Sequence, residues 1–406
     1  MLQRKYSKVK IDNNLTLGSS AELILENGSE IQSRGGSNVK TNTAFGTDAL
    51  TLNSTGANNV AVGYQTLDVN TIGDGNVAVG SGALGANTTG ANNVAVGYGA
   101  MDVNTIGDKN VALGKDAMGA NTTGINSVAV GYQALLAATV GTGNVAVGSS
   151  SLDALTTGTN NTAIGFGALG AATTAINNVA VGKDALLVMT VGTGNVAIGN
   201  TALDALTTGT DNTAVGLDAL GAATTAINNV AVGKDALKAM TVGTGNVAVG
   251  NSALDALTTG TNNVAVGLDA LGAATTGIDN TAVGMNALLV MTVGTGNTSV
   301  GKASLDALTT GTDNTAIGFG ALGAATTAIN NVAVGKDALL VMTVGTGNTA
   351  VGNTAMDALT TGTNNTAVGL DAGGALTTGI DNTAVGMNAL LTATVATGSV
   401  ALGRDA

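Results

Sequence analysis

Five aspartates, Asp153, Asp204, Asp255, Asp306 and Asp357, recur every 51 residues, and the string "GTGN", first met at residues 141–144, recurs at the same interval. Aligned carboxylates can hold a hard cation such as Ca²⁺, and a glycine-rich loop can cradle phosphate. Neither chemistry fits. Single carboxylates three stacked repeats apart stand roughly 14 Å from one another, too far to share an ion. No Lys-Ser/Thr follows the glycines, so "GTGN" reads as a turn. The aspartates read as a solvated stripe, and Lys183–Asp184 and Lys336–Asp337 as exposed pairs. The chain contains neither His nor Cys, and no isolated carboxylate pair stands out from the repeats. No catalytic constellation, metal site or cofactor site is therefore expected. A column of threonines that includes Thr207 suggests another chemistry, since flat Thr ladders can order water and bind ice. Thr207 and Thr208 are adjacent, however, and side chains alternate across a strand. The column accordingly reads as a hydrogen-bonded ladder near a turn.

The element that positions all these columns is a short repeat of fixed length. Every seventeenth residue from Gly46 to Gly403 is glycine, without insertion or deletion. With that glycine as position 17, position 13 is Asn in 20 of 22 copies, Ser127 and Ser399 being the exceptions, and position 15 is Ala except at Ser299. Position 16 is always apolar, position 4 is Leu or Met except at Gly373, and position 8 is Thr except at Ser54. Position 10 is Gly, replaced by Ala at 175, 226, 328 and 396. Such an array fixes the fold class before any local reading. From Lys115 onward three variants of the unit alternate, whereas residues 64–114 alternate over two units. The longer periods are thus traces of duplication, and the 17-residue unit is the structural one.

Composition narrows the interior. Aromatic residues make up 2% of the chain and glycine 62 of 406 residues, yet 44% is hydrophobic and sits in fixed columns. A narrow interior of Ala, Val and Leu fits; disorder does not require such columns. No apolar run reaches the length of a membrane span, and residues 1–14 lack a secretory-signal pattern. Net charge is −12, while residues 1–40 carry six Lys or Arg against four acids. The repeats are therefore acidic, which disfavours nucleic acid as a partner.

Short Val/Thr/Asn runs bounded by glycine are poor helix and good strand-and-turn sequence. The expected architecture is all-β: a parallel β-solenoid or β-roll of 17-residue coils over residues 44–406. Each coil has a strand at positions 13–16, a second at about 3–8 and a turn at 9–12. At about 4.8 Å per coil the array would form a rod on the order of 100 Å long. Turn glycines Gly182, Gly199, Gly216 and Gly233, and the glycines of position 10, are expected at positive φ. Asn178, Asn195, Asn212 and Asn229 are expected to stack as an amide ladder. Val215 and Val232, with Leu220 and Leu237, are expected in the core, so that Val232→Asp would cost several kcal/mol. The small Ala214, Ala231 and Ala248 are expected on the outer face, at an inter-subunit seam.

The "NVAVG" and "NTAIG" strands resemble the head repeats of YadA-like trimeric adhesins, and the "GYQAL…TTG…NNTAVG" pattern is similar to arrays in phage tail fibres. The resemblance covers residues 44–403. It implies left-handed parallel β-rolls, three chains to a head. The adhesin family also carries a signal peptide, coiled-coil stalk, membrane anchor and usually shorter repeats, none of which this sequence shows, so the phage-fibre resemblance is the closer.

The function expected is a structural shaft, a phage or viral tail fibre or adhesin-like rod presenting a host-attachment surface on a virion or cell exterior. The alternatives are an extracellular filament subunit or cellular surface adhesin, and an ice-binding solenoid. Expected partners are further copies of the chain in a homotrimer or head-to-tail filament, a virion or surface base held by residues 1–43, and a host receptor that repeated surfaces do not identify. Residues 1–43, with apolar Leu15, Leu17, Leu23, Ile24 and Leu25 and turns at 13–14 and 27–28, read as a β-rich attachment or capping segment. The repeats run to "ALGRDA", so the last coil is expected to meet another subunit or to continue into a tip.

Overall fold

A computed structural model describes residues 31–32 and 41–406. The described residues fall into two compact units, one ending at Asn161 and the other Thr162–Ala406. Both are all-β and consist of parallel solenoid turns, one turn to each sequence repeat. The first holds seven strands at positions 14–16, from Thr43–Phe45 to Val145–Val147; the second holds fifteen, from Thr162–Ile164 to Val400–Leu402. Within each unit, strands of successive repeats pair in parallel: Val179 with Val196, Thr213 with Val230, Val230 with Val247. In the first unit, Ile31–Gln32 pairs antiparallel with Thr43–Phe45. The apolar residues and turns expected between residues 13 and 28 lie outside the described residues.

The faces of the main strand are opposite to those expected. Ala214, Ala231 and Ala248 are fully buried inside a single chain, so they do not form an inter-subunit seam. Val215 is half-buried, and Val232 and Val249 are 36% and 37% exposed. The reason is steric: so short a coil leaves room inside for a methyl group but not for a branched side chain at this position. Ser299 confirms the inward direction. Its hydroxyl meets that of Ser304, itself in place of an inward Ala, at an Oγ–Oγ distance of 2.5 Å, and the Ser304 hydroxyl donates on to the carbonyl of Gly301 at 3.0 Å, so both buried hydroxyls are satisfied. Leu203, Leu220 and Leu237 are buried, as their column implied.

The second strand also lies elsewhere. In the second unit it occupies positions 9–11, as in Val191–Thr193 and Thr208–Thr210, while the region expected to be extended is a series of turns. Thr201 and Leu203, at positions 2 and 4, have φ of 54° and 53°, and Asp211 at position 12 has 57°. For a leucine this conformation costs about 1–2 kcal/mol, comparable to the ~1.5–3 kcal/mol from burying it fully. Position 17 is left-handed as expected, with Gly182 at 137° and Gly199 at 144°. A Cβ on Gly182 would also collide with the carbonyl oxygen of Gly199.

The glycine of position 10 is not at positive φ; close interior packing requires it. A Cβ on Gly209 would lie 2.7 Å from Leu206 Cδ1, and one on Gly260 would lie 2.8 Å from Leu257 Cδ1. Leu206 and Leu257 occupy position 7. Where position 10 is alanine, at Ala175, Ala226, Ala328 and Ala396, position 7 is also alanine: Ala172, Ala223, Ala325 and Ala393. Volume is balanced within the turn.

The asparagines of position 13 are buried and bonded. Asn229 donates from Nδ2 to Asn212 Oδ1 at 3.1 Å and to the carbonyl of Gly243 at 2.9 Å. Its own Oδ1 accepts the backbone N–H of Asn246 at 2.9 Å. Asn178, Asn195 and Asn212 belong to the same ladder. The first unit has a second ladder at position 7, where Asn87, Asn104 and Asn121 each donate to the preceding amide at 2.7–2.8 Å. In the second unit that column is apolar, as in Met189, Leu206 and Ala223. Among the described residues, no buried side-chain nitrogen or oxygen lacks a partner.

Two outcomes follow from this geometry. Ala231→Asp should unfold its own and neighbouring turns, whereas Val232→Asp should leave an isolated chain folded, at a cost of about 1 kcal/mol in strand preference; circular dichroism melts of the two variants check the assignment. Asn229→Ala should orphan the buried Asn246 N–H, costing about 1–3 kcal/mol, and leave the Gly243 carbonyl only the N–H of Ile227. Hydrogen exchange should accelerate in the turns around residue 229, while turns far along the unit keep their protection.

Candidate interaction surfaces

The inward alanines and glycines leave two outward faces in each turn of the second unit. On the first, at positions 14 and 16, Val230 and Val232 flank Ala231, and every residue of position 16 from Ile164 to Leu402 is aliphatic. Exposure in this column runs from half-buried, as at Val215 and Val283, to 40% at Ile317 and 67% at Leu402. On the second face, at positions 9 and 11, Val191 and Val242 are 50% and 49% exposed and Ile227 and Ile278 are 42% and 44%. Neither face carries a charged side chain in this unit.

The charges gather along the turn between the faces. Asp204 and Asp255, expected as solvated, are half-buried. Burial pushes the carboxyl of Asp204 above its ordinary value, and neighbouring Asp218 adds to the shift; Asp255 and Asp357 respond alike beside Asp269 and Asp371. Asp153 and Asp306 are raised by burial as well. Lys183 and Lys336 sit 3.3 Å and 3.4 Å from the carboxylates of Asp184 and Asp337. Such exposed pairs contribute about 0–1 kcal/mol. Lys238 holds Asp235 at 2.8 Å, and that hydrogen bond lowers the carboxyl of Asp235. Among the described residues, no cluster of three or more His, Cys, Asp or Glu could hold a metal.

The remaining motifs are structural. Asn144 of the first "GTGN" turns inward and donates to the carbonyl of Gly158 at 2.9 Å, so its Asn belongs to the ladder, whereas in later copies the first Gly and Thr, as Gly192 and Thr193, lie in the second strand and not in a turn. The hydroxyl of Thr207 donates to the carbonyl of Thr224 at 3.0 Å, and Thr224 repeats the bond to Thr241 at 3.1 Å. The threonines of position 8 are therefore internal braces. Sequence reasoning missed positions 9 and 11 as an outward face; the alternation "TGT" and "VGT" was the available signal, hidden by reading its glycine as a turn.

No protein-family model matches the chain, and no curated protein matches it. The surfaces themselves carry the functional argument.

Raised carboxyls give a pH dependence of definite sign. The native state binds protons at a pH where the unfolded chain has released them, so stability falls as pH rises through the folded values. The melting temperature should therefore increase on acidification from neutral pH towards the ordinary carboxylate range of about pH 4. In the triple variant Asp204→Asn, Asp255→Asn, Asp357→Asn the melt at neutral pH should be higher than the parent's and its pH profile flatter over that interval.

Proposed function

We propose that the chain is a structural fibre element, the shaft of a virion tail fibre or of an adhesin-like rod, in which three copies pack along their aliphatic faces. The observation that carries this reading is the column at position 16, aliphatic in every turn of the second unit yet more than a third exposed at Val232, Val249 and Val266. Contiguous exposed apolar surface of this kind marks an interaction site. The seam falls at Val215, Val232 and Val249 with their partners at position 14, and the inward alanines make it possible by leaving the branched residues outside. The number three comes from the resemblance to YadA-like heads. Attachment to a virion or surface base through residues 1–43, and presentation to a host receptor, belong to the same proposal.

The energetics favour a long array. Covering the exposed third of one valine is worth roughly 0.5–1 kcal/mol. A single turn cannot meet an association cost of about 4–15 kcal/mol, whereas fifteen strands together contribute on the order of 10 kcal/mol. Light scattering coupled to size exclusion should report a trimer for the parent. The variant Val215→Lys, Val232→Lys, Val249→Lys should shift the mass towards monomer while keeping the parent's circular dichroism. A parent that stays monomeric at high concentration would refute the shaft.

A further inference from the structure

The second outward face differs chemically from the first, and the difference identifies a ligand. Position 11 runs in register through the second unit, from Ile176 paired with Thr193, through Thr210 with Ile227 and Ile227 with Thr244, to Ile380 with Thr397. Over residues 174–397 every residue of positions 9 and 11 is Thr, Val or Ile, and every turn has at least one Thr of the two. Thr208 and Thr210 share one turn, and Thr259 and Thr261 another. The hydroxyls at these four positions make no hydrogen bond within the chain, unlike those of position 8. Between the two rows the floor is backbone: around residues 361–397, Gly362 and Gly379 floor an open trough walled by Thr361, Thr363, Thr378 and Ile380.

We propose that this face binds ice. β-Branched side chains are stiff at χ1, so their methyls and hydroxyls repeat with the turn at about 4.8 Å and lose little freedom on contact with a lattice. The methyls restrict the orientation of first-shell water, while the free hydroxyls can hydrogen-bond it in place. A charged side chain would impose a competing hydration shell, and none occurs on the face. A protein partner would be better served by the wholly aliphatic column at position 16; here hydroxyls alternate with methyls, and a regular sheet of water satisfies both. The first unit provides the contrast. Its early turns place Asp74 and Asp108 at position 11, where they accept the backbone N–H groups of Ala57 and Ala91 at 2.6 Å, and no second strand forms there. The site therefore belongs to the second unit. It is independent of the proposed trimer seam, which occupies the other face.

The test uses the full chain and ice itself as the probe. The parent should partition into a slowly grown ice hemisphere and show thermal hysteresis by nanolitre osmometry. Thr259→Lys, Thr276→Lys, Thr310→Lys should lose both, while the charge-matched control Asn200→Lys, Asn251→Lys, Asn353→Lys keeps both. Should the first variant melt earlier than the parent, Thr259→Ala, Thr276→Ala, Thr310→Ala removes the same hydroxyls without adding charge and should still lower the hysteresis several-fold. A parent excluded from ice, or hysteresis unchanged in the alanine variant, overturns the proposal. So does a sheet-face substitution that changes solution mass instead of ice affinity, because the occupant would then be another copy of the chain.

Discussion

The amide of the position-13 asparagine is the interaction on which the rest depends. It is placed inside a coil too narrow for water to serve its turns, and there it performs three tasks at once. Asn229 joins the turn before it through Asn212, the turn after it through the N–H of Asn246, and the far side of the coil through the carbonyl of Gly243. Because an unpaired buried amide costs so much, a slip of one residue between neighbouring turns is unfavourable along the whole unit. Register, which is weakly specified in short strands facing mixed environments, is thereby set by side chains as well as by backbone.

A narrow interior sorts the remaining residues by size. Methyl groups go in, and branched side chains go out, although conventional patterning would bury the valines and expose the alanines. Leucine enters only at position 4, where a left-handed backbone directs it inward at the cost of strain, and at position 7 of those turns whose position 10 is glycine. Exposed β-branched faces are the result, and their chemistry then diverges: one column is purely aliphatic, the other pairs hydroxyls with methyls.

Much of this was legible in the sequence. The invariant spacing of glycine specified the coil, "NVAVG" specified its main strand, and the asparagine column specified a ladder. The side facing inward was misread because alanine carries too little apolar area to resemble a core residue. Its near invariance was the better signal, since only a confined site rejects every larger side chain. The leucine of "ALDAL" suggests a second strand too early in the unit, yet Ala and Asp are weak strand formers and Ala202 and Leu203 are buried side by side. The faces followed from these two points, so they too required the structure.

The pairing of small residues at positions 7 and 10 has a genetic meaning. Whatever Ala226 adds to the interior, Ala223 on the same turn gives back, so the compensating change travels within one repeat. A stretch of DNA encoding whole turns can then be lost or copied by misaligned recombination without creating a void or a clash. The near-identical 51-residue blocks supply the matching sequence that such exchange requires. The gene can change the number of turns in single events, while the fold of every surviving turn stays as it was.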